Sequence, residues 1–116
     1  MLIDVVQRYE GNPILTAADV PYPVETVHNA GVVKYDGRYI MVFRSHRANG
    51  RSILGIADSD DGDHFTVRPE PFMVPATDGP FAEYEQFGVE DARINPLDRV
   101  YYLTYSCLLY TSDAAD

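Results

Sequence analysis

The chain has 116 residues, enough for one small domain, with 46% hydrophobic and 23% charged residues, the balance of a globular protein. Its formal net charge is −9 and Lys34 is the lone lysine, which argues against a basic nucleic-acid footprint or a polybasic membrane patch. No apolar run reaches membrane-spanning length, and a single cysteine, Cys107, cannot build a disulfide scaffold.

The opening Met1-Leu2-Ile3-Asp4-Val5-Val6-Gln7-Arg8 lacks a basic segment followed by a long apolar one. No secretory leader is therefore expected, and a cytoplasmic location is the default expectation provided Met1 is the true start. The hydrophobic period along the chain is two, which predicts an all-β protein, and no convincing amphipathic helix is found. Gly31 to Tyr35 reads as a first strand and Arg38 to Arg44 as a second. Asp36-Gly37 between them predicts a hairpin, because both central residues of such a turn need positive φ. In the second strand Tyr39, Met41 and Phe43 face one way, and Ile40, Val42 and Arg44 the other. Both faces are largely apolar, so the strand is expected to lie between layers. Ser52 to Ala57 is a third strand and Phe65 to Arg68 a short fourth. In the turn Ser59-Asp60-Asp61-Gly62-Asp63-His64-Phe65, Ser and Asp side chains are expected to bond local backbone N–H groups while Gly62 takes the positive φ. Asp58, Asp60, Asp61 and Asp63 have the composition of a calcium loop but lack its bidentate Glu, so no metal site is assigned.

Pro69 to Phe87 reads as a long loop rich in Pro, Gly and acidic residues. It leads into Phe87-Gly88-Val89-Glu90-Asp91-Ala92-Arg93-Ile94, at the mouth of another strand. Strict alternation puts Glu90 and Asp91 on opposite faces and Asp91 with Arg93 on one. That carboxylate and guanidinium form either a structural ion pair or the edge of a polar site. Val100 to Tyr105 is a further strand. Placing Ser106 over Ser45, an offset of 61, lays it on the second strand and lays Leu97-Asp98 on the turn Asp36-Gly37. On that alignment Asn29-Ala30-Gly31 and Glu90-Asp91-Ala92 occupy equivalent places. A repeating four-stranded unit of roughly 40–45 residues is the signature of a β-propeller. About one and a half blades are present, so the chain is read as a partial propeller with unpaired sheet edges. The stretch 107–116 matches a translated sequencing-library adapter. It is read as a non-native tail behind a 1–106 N-terminal fragment of the propeller domain.

Arg44 on an apolar strand face needs a partner for its charge, either Asp91 or a ligand hydroxyl. Asn29 is a turn residue or a ligand-binding one, and Glu90 a supporting carboxylate. His28 and His46 flank these positions and are read as ligand hydrogen-bonding residues or, more ordinarily, as surface or core ones, and His64 as structural. Tyr84, Phe87 and Tyr101 have rings able to stack on a sugar but are more ordinarily core.

Asn12-Pro13-Ile14, His28-Asn29-Ala30-Gly31, Phe43-Arg44, Arg51-Ser52, Ser59-Asp60-Asp61-Gly62, Gly88 to Ile94 and Tyr101 to Tyr105 occur in that order. The ordered set resembles glycoside hydrolase family 130, the β-mannoside phosphorylases and related mannosidases. The resemblance implies a five-bladed β-propeller with a sugar pocket at the channel mouth. It implies Asp91 as general acid, reaching the glycosidic oxygen through the mannose 3-hydroxyl. Asn29 and Arg44 would hold the mannosyl unit. Inorganic phosphate would be the nucleophile, with no cofactor and no metal, and inversion would give α-mannose 1-phosphate. The partners implied are a β-mannoside oligosaccharide and phosphate, with no nucleic acid and no membrane; an oligomer is left open. One departure is Ala92, where the family usually has Pro. A hydrolase of the same family and a non-catalytic sugar-binding propeller are the rival expectations.

Overall fold

A computed structural model describes residues 5–108. The leader expectation at the extreme N-terminus and most of the tail expectation (109–116) lie outside the described residues. Six strands dominate: β1 (His28–Tyr35), β2 (Arg38–His46), β3 (Ser52–Ser59), β4 (Thr66–Val67), β5 (Val89–Leu97) and β6 (Val100–Cys107). A 3-10 turn at Ala17–Asp19 and a single helical turn, α1 (Ala82–Glu85), are the helical pieces among the described residues. The all-β expectation holds. Strands β1 to β4 form one antiparallel sheet in sequence order, and β5 pairs with β6 in a second.

The turns follow their residues. Asp36 and Gly37 take φ of 51° and 76°, the two left-handed residues that a tight hairpin demands. In the turn after β3, Ser59 Oγ accepts from the backbone N–H groups of Asp61 and Gly62, and Asp61 Oδ1 accepts from those of Asp63 and His64. Gly62 supplies the positive φ of 82°. His64 is tied to Asp61 at 2.7 Å, so the structural role expected of it is the one found.

Strand β2 divides the core. Met41 and Phe43 pack with Leu15, Val20, Ala57 and Val67 on one side. Val42 packs with Leu54, Ile56, Val89 and Ala92 on the other. The period-two pattern of β2 thus becomes two apolar layers, with Val42 and Phe43 1% and 0% exposed. The second layer is the seam between the two sheets. Gly31 is needed there: a Cβ on it would lie 2.6 Å from the Ala92 carbonyl oxygen.

Both long hairpins carry a β-bulge at the same place. The pairing runs His28↔Arg44 then Gly31↔Val42 in the first, and Glu90↔Ser106 then Arg93↔Thr104 in the second. The extra residue falls within Asn29-Ala30 and Asp91-Ala92 respectively. The hairpin turn of β5 and β6 is Asp98-Arg99, with φ of 50° and 67°, between the paired Leu97 and Val100. The repeat offset is therefore 62, the separation of Asn29 from Asp91, and not the 61 expected from aligning the two serines. Ser106 matches Arg44, and Asn29 matches Asp91. The turn at Leu97-Asp98 is corrected by one residue for the same reason.

The segment from Pro69 to Phe87 is pinned rather than loose. Met73 bridges to Leu54, and Glu85, 3% exposed, accepts from the Ala76 backbone N–H at 2.8 Å and from the Tyr105 hydroxyl at 2.5 Å. That hydroxyl, held by the carboxylate and partly desolvated, has its pKa pushed up to about 12.

Candidate active site

The bulges aim two side chains at one point. Asn29 and Asp91 have φ of 47° and 53°, left-handed values that Asn and Asp tolerate better than other residues with a Cβ. Asn29 Nδ2 donates to Asp91 Oδ1 at 3.0 Å. From β2, Arg44 Nη1 donates to the same oxygen at 3.1 Å. The sequence-derived trio Asn29, Arg44 and Asp91 is thus one hydrogen-bonded cluster. Asp91 Oδ2 carries no hydrogen bond among the described residues, and the side chain is 37% exposed, so that oxygen is open to a hydroxyl.

Arg44 is only 17% exposed and satisfies its charge locally. Nη2 donates to Glu90 Oε2 at 2.6 Å, Nε to Ser52 Oγ at 2.9 Å, and His46 Nε2 lies 3.3 Å from Nη2. The rings of His28 and His46 meet edge to face, 4.9 Å between centroids. Burial, then the Arg44 charge, lower the pKa of His28. Asp91 is also held below the ordinary carboxylate range, first by the Asn29 hydrogen bond and then, against a partial desolvation, by Arg44. Asp91 is therefore an ionised acceptor.

Two expectations are corrected here. Glu90 and Asp91 do not point to opposite faces; the bulge rotates one peptide out of the alternation, and both carboxylates reach the same guanidinium. Asp91 also forms no ion pair with Arg93, whose Nη1 donates instead to the Ala92 carbonyl oxygen at 3.0 Å. The aromatic candidates stay outside the cluster. Phe87 lies under the Arg51 guanidinium, 4.7 Å from it. Tyr101 stacks edge to face on Tyr35 at the far end of the hairpin, and Tyr84 is 52% exposed on α1. His46, whose placement beside the site was one of two readings, contacts Arg44, and Ser52, which the sequence did not single out for the site, does so too. The one signal was that His46, like Arg44, lies on the alternate face of β2. An open cleft of about 670 Å³ adjoins the cluster, lined by Tyr9, Asn12, Ile14, His28, Asn29 and Met41 among others. No group of three His, Cys, Asp or Glu side chains among the described residues could hold a metal ion.

The fold has counterparts among solved carbohydrate-active enzymes. The sequence model of the family described as β-1,4-mannooligosaccharide phosphorylase matches residues 2–113. The chain belongs to glycoside hydrolase family 130, a family of mannoside phosphorylases. It is 25% identical to the β-1,2-mannobiose phosphorylase of Listeria innocua over 89% of this chain and 44% of that protein. It is 31% identical to the 4-O-β-D-mannosyl-D-glucose phosphorylase of Bacteroides fragilis over 61% of this chain and 23% of that protein. A solved glycosyl hydrolase from Bacteroides ovatus superposes with a TM-score of 0.74 at 25% identity, covering 84% of this chain and 32% of that one. The chain spans less than half the length of these relatives.

Proposed function

We propose that this chain supplies the general acid and part of the sugar-binding site of a β-mannoside phosphorylase built as a five-bladed β-propeller, of which it forms about one and a half blades. Asp91 is the acid. Asn29 and Arg44 fix its carboxylate and bind the mannosyl unit. A phosphate oxygen attacks the anomeric carbon from the face opposite the leaving group. The glycosidic C–O bond breaks with its electron pair going to the leaving oxygen. Asp91 returns a proton to that oxygen by way of the mannose 3-hydroxyl, and the products are α-mannose 1-phosphate and the shortened sugar. Phosphate is already anionic and needs no second carboxylate to activate it, unlike water in an inverting hydrolysis.

The observation that carries this reading is the open Oδ2 of Asp91, in a carboxylate whose other oxygen is fixed by Asn29 and Arg44. The depressed pKa of Asp91 is compatible with acid catalysis because sugar bound over it would displace water, and desolvation works against the charged form. The family description and the mannosyl-glucose relative support a β-1,4 linkage, and the Listeria relative a β-1,2 one, so both are assayed.

The test is to give the complete enzyme β-1,4- and β-1,2-linked mannobiose with and without inorganic phosphate. Mannose 1-phosphate formed only with phosphate supports phosphorolysis. Free mannose released without phosphate would move the chain to the hydrolases. Full turnover by Asp91→Asn would remove Asp91 as the acid and leave a binding role.

A further inference from the structure

We propose that Glu90 is a positioning residue that sets how much of the Arg44 charge reaches Asp91, and so keeps Asp91 able to take up a proton. The proposal rests on the assignment of Asp91 as the acid. Arg44 divides its donors among Ser52 Oγ at 2.9 Å, Glu90 Oε2 at 2.6 Å and Asp91 Oδ1 at 3.1 Å. Charge-assisted bonds strengthen as they shorten, so the guanidinium leans toward Glu90. Burial follows the same division. Glu90 and Arg44 are 19% and 17% exposed, a shielded pair, while Asp91 at 37% is the face open to solvent.

Asp91 is surrounded by Asn29 and His28 from β1, Arg44 and His46 from β2, and Glu90 and Arg93 from β5. Within that set Glu90 alone brings negative charge. It acts twice in one direction. Its own charge opposes ionisation of Asp91, and by occupying Nη2 it draws Arg44 away. Without it, Asp91 would face only cations and neutral donors and would lose its proton at lower pH. An acid catalyst so shifted is spent over more of the neutral range.

The experiment compares the complete enzyme with Glu90→Gln, which keeps an acceptor for Arg44 but no charge, and Glu90→Asp, which keeps the charge on a shorter reach. Two quantities are read: the pH dependence of kcat/KM on β-mannobiose with phosphate, and the carboxyl-carbon NMR titration of Asp91, assigned with Asp91→Asn. The alkaline limb and the Asp91 midpoint should both move to lower pH, by roughly one unit in Glu90→Gln and by less in Glu90→Asp. A midpoint that stays or rises overturns the proposal. The titration needs no turnover, so the two assignments fail separately. A falling midpoint in a protein with no phosphorolysis would sink the mannoside reading and leave the Glu90 device standing. An unmoved midpoint in an enzyme that Asp91→Asn silences would sink the device alone. Should Glu90→Gln not fold, the sign of the shift in Glu90→Asp decides.

Discussion

Asn29 and Asp91 stand at the same bulge of two successive hairpins and meet across the seam, Nδ2 to Oδ1 at 3.0 Å. One position in the repeat thus delivers a neutral donor from the first hairpin and a carboxylate from the second. Removing the amide should be felt at the carboxylate. Asn29→Gly, which keeps the left-handed backbone unstrained, deletes the leading cause of the depressed Asp91 pKa, so that pKa should rise. It also removes a donor to a charged group, a loss of about 1.5–3 kcal/mol. A fall in kcat/KM of roughly ten- to a hundredfold is expected in the complete enzyme, together with an alkaline limb displaced to higher pH, and steady-state kinetics across pH would check both.

Arg44→Lys tests the fork itself. An ammonium is a point charge and cannot hold Ser52, Glu90 and Asp91 with the planar geometry that a guanidinium supplies. The variant should keep its charge and its fold yet lose at least about tenfold in kcat/KM. Wild-type kinetics in Arg44→Lys would show that charge alone, not shape, is what Asp91 needs.

Gly31→Ala addresses the close approach of the two sheets. Its new Cβ would meet the Ala92 carbonyl oxygen, a backbone atom, at 2.6 Å. Overpacking of this kind costs roughly 1–3 kcal/mol, and denaturant titration should register it. Because Asn29 and Asp91 flank the contact, activity should fall along with stability. Gly37→Ala is the control. It meets nothing within 4 Å but sits at φ of 76°, so it should cost about 1 kcal/mol and leave the site untouched.

The Tyr105–Glu85 tie has a pH signature. The Tyr105 pKa is raised to about 12 in the folded protein, from an ordinary value of 10.0. A group whose folded pKa is raised lends stability that is full below its unfolded pKa and is lost as pH rises through the folded one. The contribution should therefore be intact below pH 10 and vanish toward pH 12. Melting temperatures measured over that window should fall more steeply for the wild type than for Tyr105→Phe. Glu85→Gln should lower the tyrosine midpoint, seen by ultraviolet titration, and should open the 69–87 segment to proteases.

The hairpin at Asp36-Gly37, the two-faced β2 and the Ser59 turn were legible because each depends on residues close in sequence. The site was legible only in part. The residues themselves mark Asp91 as the edge of a polar site and a partner for Arg44, while the roles of Asn29, Arg44 and Asp91 toward a sugar come from the family resemblance. What alternation could not convey was the bulge. One inserted residue reverses every face beyond it, so alternation alone sets Asp91 beside Arg93, whereas the need of Arg44 for a partner on an apolar face points to Asp91, the contact the structure has. The repeat was found but set one residue short, because Ser45 and Ser106 are alike in type and differ in place. His46 and Ser52 join the cluster through strand register, which a single sequence carries only indirectly.

The left-handed backbone at residues 29 and 91 also restricts the alphabet of the site. At φ near +50° the residues accommodated without strain are, in practice, Gly, Asn and Asp. Two copies of such a position can hold an amide, an acid or nothing, and little else. A single exchange within that short list turns a neutral donor into a carboxylate without asking the strand to move. The fold thus keeps, at matched points of successive hairpins, a pair of places where charge can change while geometry does not.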